Sequence, residues 1–308
     1  MRSEWAAEIT ARAQAHWTPA RLAQLSRDKT LLLPPVQAAP LLRAMSLLAA
    51  DGSMRPDRVR KYLQINHMVA MLGPSLRELR ASRATVRLID AACGRSYLAL
   101  LLAWCFRNLW SHPVEVLGVD RNADLVARCR NDAQLAGLDD VVKHEASALD
   151  AIDVRAAWAR AFGSRATIDG VVALHACDTA TDDAIVLAVS VEAQLCAVAP
   201  CCHAELARAW SELAETGSES PLAPIFRVPH LRREAAATIT DTMRSLLLRG
   251  AGYEVWPLEF VPSEHTPKNT LIRAMKRSGA DEGALSEYRA LVAASGGRTI
   301  ALDARIRS

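Results

Sequence analysis

Residues 86–108 read VRLIDAACGRSYLALLLAWCFRN: a short β-branched apolar run, a turn of small residues from Asp90 onward, and an apolar stretch with helical spacing over Tyr97–Asn108. This strand, tight turn and helix is repeated in outline down the rest of the chain. Strands are expected at Val86–Ile89, Val114–Val119, Val141–His144, Ile168–Leu174 and Leu195–Val198, each followed by a helical segment, and then at Tyr253–Val261 and Thr270–Met275. Strands alternating with helices predict a mostly parallel α/β sheet covered on both faces. Five such units followed by two late strands joined by a short turn predict seven strands ending in a hairpin.

Upstream the pattern differs. From Trp5 to Leu25 the apolar spacing is helical, and three prolines between residues 30 and 40 then break it. A second helix is expected from Leu41 to Ala49, and a third after Pro56, carrying Val59, Leu63, Met68 and Met71 towards a core and stopping at Gly73-Pro74. The expected organisation is a helical N-terminal domain over residues 1–80, the α/β domain over 81–280, and a C-terminal helix and tail over 281–308, loosely held after Gly296-Gly297. Residues 216–224 read as a polar loop.

The chain has 308 residues, 51% of them apolar, enough for one sizeable core. The apolar stretch Leu98–Phe106 falls well short of the roughly 20 residues that span a bilayer, and no secretory pattern follows Met1, so a cytoplasmic protein without membrane contact is expected. Seven cysteines, an odd number without CxxC spacing, suit reduced thiols, and Cys105, Cys129 and Cys196 read as bystanders. Net charge is +3, yet residues 1–84 hold 13 basic and 6 acidic side chains (+7) and the remainder 24 and 28 (−4). The basic charge is concentrated at the front.

The first strand ends in Asp90-Ala-Ala-Cys-Gly94-Arg-Ser96, where small residues let a ligand approach the backbone. Only Gly94 is a glycine, so neither a GxGxxG dinucleotide loop nor a Walker lysine is present, which argues against a nicotinamide dehydrogenase. The second strand ends in Asp120, and an acid there can accept hydrogen bonds from both hydroxyls of a ribose.

These stretches, together with ALHACDTATDDAI after the fourth strand and APCCHAEL after the fifth, resemble the class I S-adenosylmethionine-dependent methyltransferases. Within them they resemble the group that includes the methyltransferase-like protein 25 relatives and the glutathione S-transferase C-terminal domain-containing protein. The resemblance covers roughly residues 55–275. It implies a Rossmann-like seven-stranded methyltransferase fold with S-adenosylmethionine as cofactor. Carried over residue by residue, it places Asp90, Ala92, Cys93, Gly94 and Tyr97 in the turn at the methionine moiety and ribose. Asp120 and Arg121 fall at the ribose, Ala146 and Ser147 beside the adenine, and His175 at the border of the methyl-transfer site. Ala92 and Ser96 stand where the generic loop has glycines.

The resemblance also implies that the acceptor lies between the ends of the fourth and fifth strands. His175, Cys177 and Asp178 would face Cys201, Cys202 and His203 there. Three thiols and two imidazoles suggest zinc, but adjacent cysteines rarely chelate one ion and no metal spacing occurs, so no metal is expected. A cysteine nucleophile of the kind needed for C5-pyrimidine methylation is a second reading. The preferred one is a pocket wall in which His175, Asp178, Cys201 and His203 orient the acceptor and take its proton. Arg58, Lys61 and Asn66 on the basic helix, and Lys268 and Asn269 in the turn between the last two strands, are expected to contact the substrate. RNA is the favoured acceptor, with a protein side chain, a small molecule, or a non-catalytic scaffold as alternatives. The sequence assigns no oligomeric state.

Overall fold

The computed structural model describes residues 2–26, 30–164, 166–174, 179–200, 204–259, 270–277 and 279–306. They form two compact units, residues 1–166 and 167–308. Among the described residues there are seven strands, and they form a mixed α/β sheet.

The first unit contains α1 (Arg2–His16), α2 (Pro19–Ser26), α3 (Ala39–Ala44), α4 (Pro56–Ser82), β1 (Val86–Ala91), α5 (Tyr97–Asn108), β2 (Val114–Asp120), α6 (Ala123–Ala136), β3 (Val142–Ala146) and α7 (Val154–Phe162). The strands lie parallel in the order β3-β2-β1, and their register places Asp90 beside Gly118 and Gly118 beside His144. Their carboxyl ends, Ala91, Asp120 and Ala146, therefore come to one rim.

Three expectations for the N-terminal region are corrected. The first helix is two, separated at Trp17 and Thr18, where the Trp17 indole N–H donates to the Gly52 carbonyl at 2.9 Å. Helix α3 is shorter than expected, with Ser46 beyond it in a left-handed conformation (φ 57°). Helix α4 runs through Gly73-Pro74 for 27 residues. Pro74 removes one intrahelical donor, but Leu72, Leu76 and Leu79 are buried on either side of it, and their packing carries the helix across the defect. The boundary expected at residue 80 thus falls inside α4, and the helices share a unit with β1–β3, α3 packing on α5 and α6.

Asn66 was expected to touch substrate, and the structure places it elsewhere. It is 5% exposed, its Oδ1 accepts the Leu33 N–H at 3.0 Å, and its Nδ2 donates to the Tyr62 carbonyl at 2.9 Å. The Tyr62 hydroxyl donates to the Leu33 carbonyl. Asn66 and Tyr62 together pin Leu33, in the proline-rich segment, to α4, supplying partners for backbone groups that the prolines keep out of a helix.

The second unit contains β4 (Gly170–Leu174), α8 (Thr179–Ser190), β5 (Leu195–Ala199), α9 (Ala204–Thr216), α10 (Ala223–Phe226), α11 (Pro229–Gly250), β6 (Tyr253–Glu259), β7 (Thr270–Lys276), α12 (Glu282–Ala294) and α13 (Ala301–Ile306). Strands β4 and β5 are parallel, and β7 runs antiparallel between β5 and β6. Arg244 of α11 and Asp182 of α8 form a buried ion pair at 2.8 Å. The tail expected to be loose is docked: Leu302 is buried, Arg305 pairs with Asp183 at 2.6 Å, and the Ala301 N–H donates to Glu205. Among the described residues no helix is long and apolar enough to cross a membrane.

The Asn66 contacts predict a structural phenotype. Asn66→Ala leaves the Leu33 N–H without its partner and should lower stability by about 1–3 kcal/mol in urea unfolding, with no change in acceptor KM at permissive temperature.

Candidate active site

The site is built on the turn from β1 into α5. Three of its residues, Ala92 (φ 52°), Gly94 (φ 53°) and Ser96 (φ 53°), hold left-handed backbone conformations. Only the glycine does so freely; a residue with a Cβ pays about 1–2 kcal/mol there. The glycines absent at positions 92 and 96 are thus replaced by residues forced into a glycine conformation.

Several contacts supply the force. Ser96 is the N-cap of α5, yet its hydroxyl makes no cap hydrogen bond. The capping is done from β1: Asp90 Oδ2 accepts the Ala99 N–H at 3.2 Å, at the third position of the helix. The Ser96 hydroxyl instead meets His144 Nε2 from β3 at 2.8 Å. Gly118 makes room for that imidazole, since a Cβ there would lie 2.8 Å from the His144 ring and 3.2 Å from Cys93 Sγ. The Cys93 N–H donates to the Val119 carbonyl, and the Cys129 thiol of α6 donates to the Gly94 carbonyl at 3.1 Å.

At the open side, Asp120 Oδ2 accepts the Gly94 N–H and Oδ1 accepts the Asn122 N–H, both at 2.9 Å. Each oxygen keeps a lone pair for a further donor. A Cβ at Gly94 would meet nothing within 4 Å, so the backbone there borders open space. A cavity of about 700 Å³ lies elsewhere, along β3, lined by residues such as Arg130, Gln134, Glu145 and Arg160 and by none of residues 92–97.

The electrostatics follow from burial. The Asp90 carboxyl is pushed up to about 7 by desolvation, with the Asp120 charge adding to the rise and the Ala99 N–H opposing it. Burial and the Arg130 charge lower His144 to about 4, so the ring is neutral at physiological pH. The Cys93 thiol is held well above its usual range by a hydrogen bond with Cys129, by burial and by the nearby carboxylates. It is a protonated packing group and not a nucleophile.

Residues 60–209 match a family model described as a methyltransferase domain. That span, just under half of the chain, is a methyltransferase domain. The methyltransferase is similar in fold to an rRNA methylase from Streptococcus thermophilus, at 10% identity over 68% of this chain and 96% of that one, with a TM-score of 0.41. It is likewise similar to an S-adenosylhomocysteine-bound methyltransferase from Podospora anserina, at 12% identity over 83% and 93% of the two chains, with a TM-score of 0.42. No curated protein matches it.

Residues 60–209 carry the methyltransferase domain, and the loop from β1 into α5 suits S-adenosylmethionine as its cofactor. S-adenosylmethionine carries a ribose diol and two cationic groups. Asp120 offers free lone pairs beside open space at Gly94, and its charge, with that of Asp90 behind it, favours a cation. Asp120 and the backbone of residues 92–94 would hold the cofactor. Asp90, only 2% exposed, shapes the turn from beneath.

The other expected residues are less engaged. The Ser147 N–H donates to the Asp120 carbonyl and its hydroxyl to the Ala148 carbonyl, while Ala146 and Arg121 are exposed. Half-buried Tyr97 opens α5 beneath Lys61. His175, Cys177, Asp178, Cys201, Cys202, His203, Lys268 and Asn269 lie outside the described residues. His144 and Cys129 were missed. The signal for His144 was Gly118, a glycine inside a strand, which often marks a close approach.

Two outcomes follow. Gly118→Ala should destabilise the fold by about 1–3 kcal/mol in urea unfolding, since strand backbone and a packed ring must both shift. Asp90 titrates higher in the folded chain than in the unfolded one, so its contribution declines as pH rises from about 4 to about 7 and is flat above. Asp90→Asn should therefore gain stability relative to wild type over that window, on the order of 4 kcal/mol in all. Urea unfolding at about pH 5 and pH 8 should show roughly 3 kcal/mol of it, and a pH-independent difference contradicts the assignment.

Proposed function

We propose that this methyltransferase transfers the methyl group of S-adenosylmethionine to RNA. The observation that carries the reading is a cationic cluster at the start of α5. The Lys61 ammonium of α4 lies 4.1 Å from the centroid of the Tyr97 ring, and the Arg95 guanidinium 5.7 Å from it. Arg58 is close enough to act on Lys61 electrostatically: partial burial, then the charges of Arg58 and Arg95, lower the Lys61 ammonium below its usual range. Among the described residues Lys61 has no carboxylate partner, whereas Arg95 is held by Asp132 at 3.1 Å.

Lys61 and Arg95 at the half-buried Tyr97 ring repel one another, with Arg58, paired to Asp57 at 3.3 Å, adding to the repulsion on Lys61, and an arriving anion relieves it. Lysine and arginine together suit phosphate, the one as a point charge and the other as a planar fork. The net charge of +7 in residues 1–84, from 13 basic and 6 acidic side chains, extends the attraction beyond the cluster. The placement beside the cofactor loop supports a phosphate backbone whose nucleotide reaches the methyl donor.

In this reading, His175 or His203 accepts the proton released by the acceptor, and Asp178 orients it. Cys177, Cys201, Cys202, Lys268 and Asn269 are assigned to binding the acceptor. The bound cofactor supplies an electrophilic methyl group, and the protein's task is to align the acceptor with it and exclude water.

Labelled S-adenosylmethionine with fractionated cell extract tests the proposal. Label should enter a nuclease-sensitive fraction, and label in protein or small metabolites overturns it. Lys61→Glu should raise the KM for RNA by about 10-fold or more and reduce the slope of log affinity against log salt by about 1.

A further inference from the structure

We propose that His144 is a positioning residue for S-adenosylmethionine binding, holding Ser96, and through it residues 92–97, in the left-handed conformation that brings Gly94 to Asp120. The inference rests on the cofactor assignment and is independent of the acceptor.

His144 is 5% exposed and Ser96 fully enclosed, and their side chains meet at 2.8 Å across 48 residues of sequence. His144 Nδ1 is buried and has no hydrogen-bond partner among the described residues. A proton on Nδ1 would therefore be a buried donor without an acceptor. It sits instead on Nε2, which donates to Ser96 Oγ and leaves Nδ1 with an unused lone pair, the cheaper of the two orphans. A neutral ring, which its lowered pKa ensures, is required for this arrangement.

The contact acts on the backbone. Serine at φ 53° is strained, and its hydroxyl would ordinarily relax towards the helix N–H groups it precedes. His144 removes that option by engaging the hydroxyl, and Asp90 removes the need for it by capping Ala99. Between them the turn stays curled: the Ser96 N–H reaches the Cys93 carbonyl at 2.7 Å and the Gly94 N–H reaches Asp120. The ring has its place because Gly118 has no side chain; the row Asp90, Gly118, His144 across three strands is one support under the loop.

A core-filling role and a positioning role separate in a rescue experiment. Cofactor Kd is measured by calorimetry, with circular dichroism and melting temperature recorded for each variant. His144→Phe fills the slot without the hydrogen bond and should weaken cofactor binding about 10-fold. Ser96→Ala, a change of one buried atom that leaves the fold intact if His144→Phe does not, should weaken it to a similar extent. The diagnostic variant is His144→Phe with Ser96→Gly. Glycine adopts the left-handed conformation unaided, so the double variant should return to within about 3-fold of wild type. A double variant no better than His144→Phe, or normal binding by either single variant, overturns the proposal while leaving the cofactor site standing. Absence of binding by the wild-type chain overturns the cofactor site and the positioning role together.

Discussion

Asp90, the last residue but one of the first strand, turns its carboxylate onto the N-terminus of the following helix, and the geometry of the cofactor loop depends on that bond. A helix N-terminus normally borrows a partner from the residue just before it. Because a strand residue takes that task, Ser96 is released to a third strand, and the loop is held at its two ends by different parts of the sheet. Burying Asp90 carries an electrostatic penalty, visible in its raised pKa. The penalty falls near a site whose ligand is positively charged, so the cost to the free protein is an attraction for the cofactor. Strain and buried charge are common where a fold is arranged around a ligand.

The alternating strands and helices were legible in sequence because buried strands and amphipathic helices have different periods. Asp90, Gly94 and Asp120 were legible because strand ends in this architecture have a fixed relation to the ligand. What sequence did not disclose was which partner each polar group finds. Asn66 stands on a basic helix among candidate contacts, and nothing in its neighbours reveals that it faces Leu33. His144 and Cys129 look like isolated core residues until the sheet register and α6 bring them under the turn. Gly73-Pro74 is a break by local preference and a continuous helix by packing, since the buried leucines flanking it outweigh one lost hydrogen bond.

The loop carries both signs of charge. Its strand side holds Asp90 and Asp120; its helix side carries Arg95 and, over Tyr97, Lys61. Asp132 neutralises Arg95 alone, so the separation persists locally while the chain as a whole is nearly balanced at +3. A cationic donor and an anionic acceptor are thereby drawn to adjacent faces of one short segment. Steering of this kind speeds encounter and orients the approach more than it tightens the final complex.

The left-handed backbone at Ala92 and Ser96 also bears on how such chains are found. A pattern that asks for glycines meets one of three in this turn, whereas the alternation of dihedral angles is present at all three. The cofactor reads the path of the backbone, and residue identity matters only through the energy needed to follow that path. Where supports from neighbouring strands meet that energy, glycine becomes dispensable. The glycine that survives, Gly94, is the one whose missing side chain borders open space. Recognition of distant members by composition will favour loops that need no support and pass over those, like this one, that are braced.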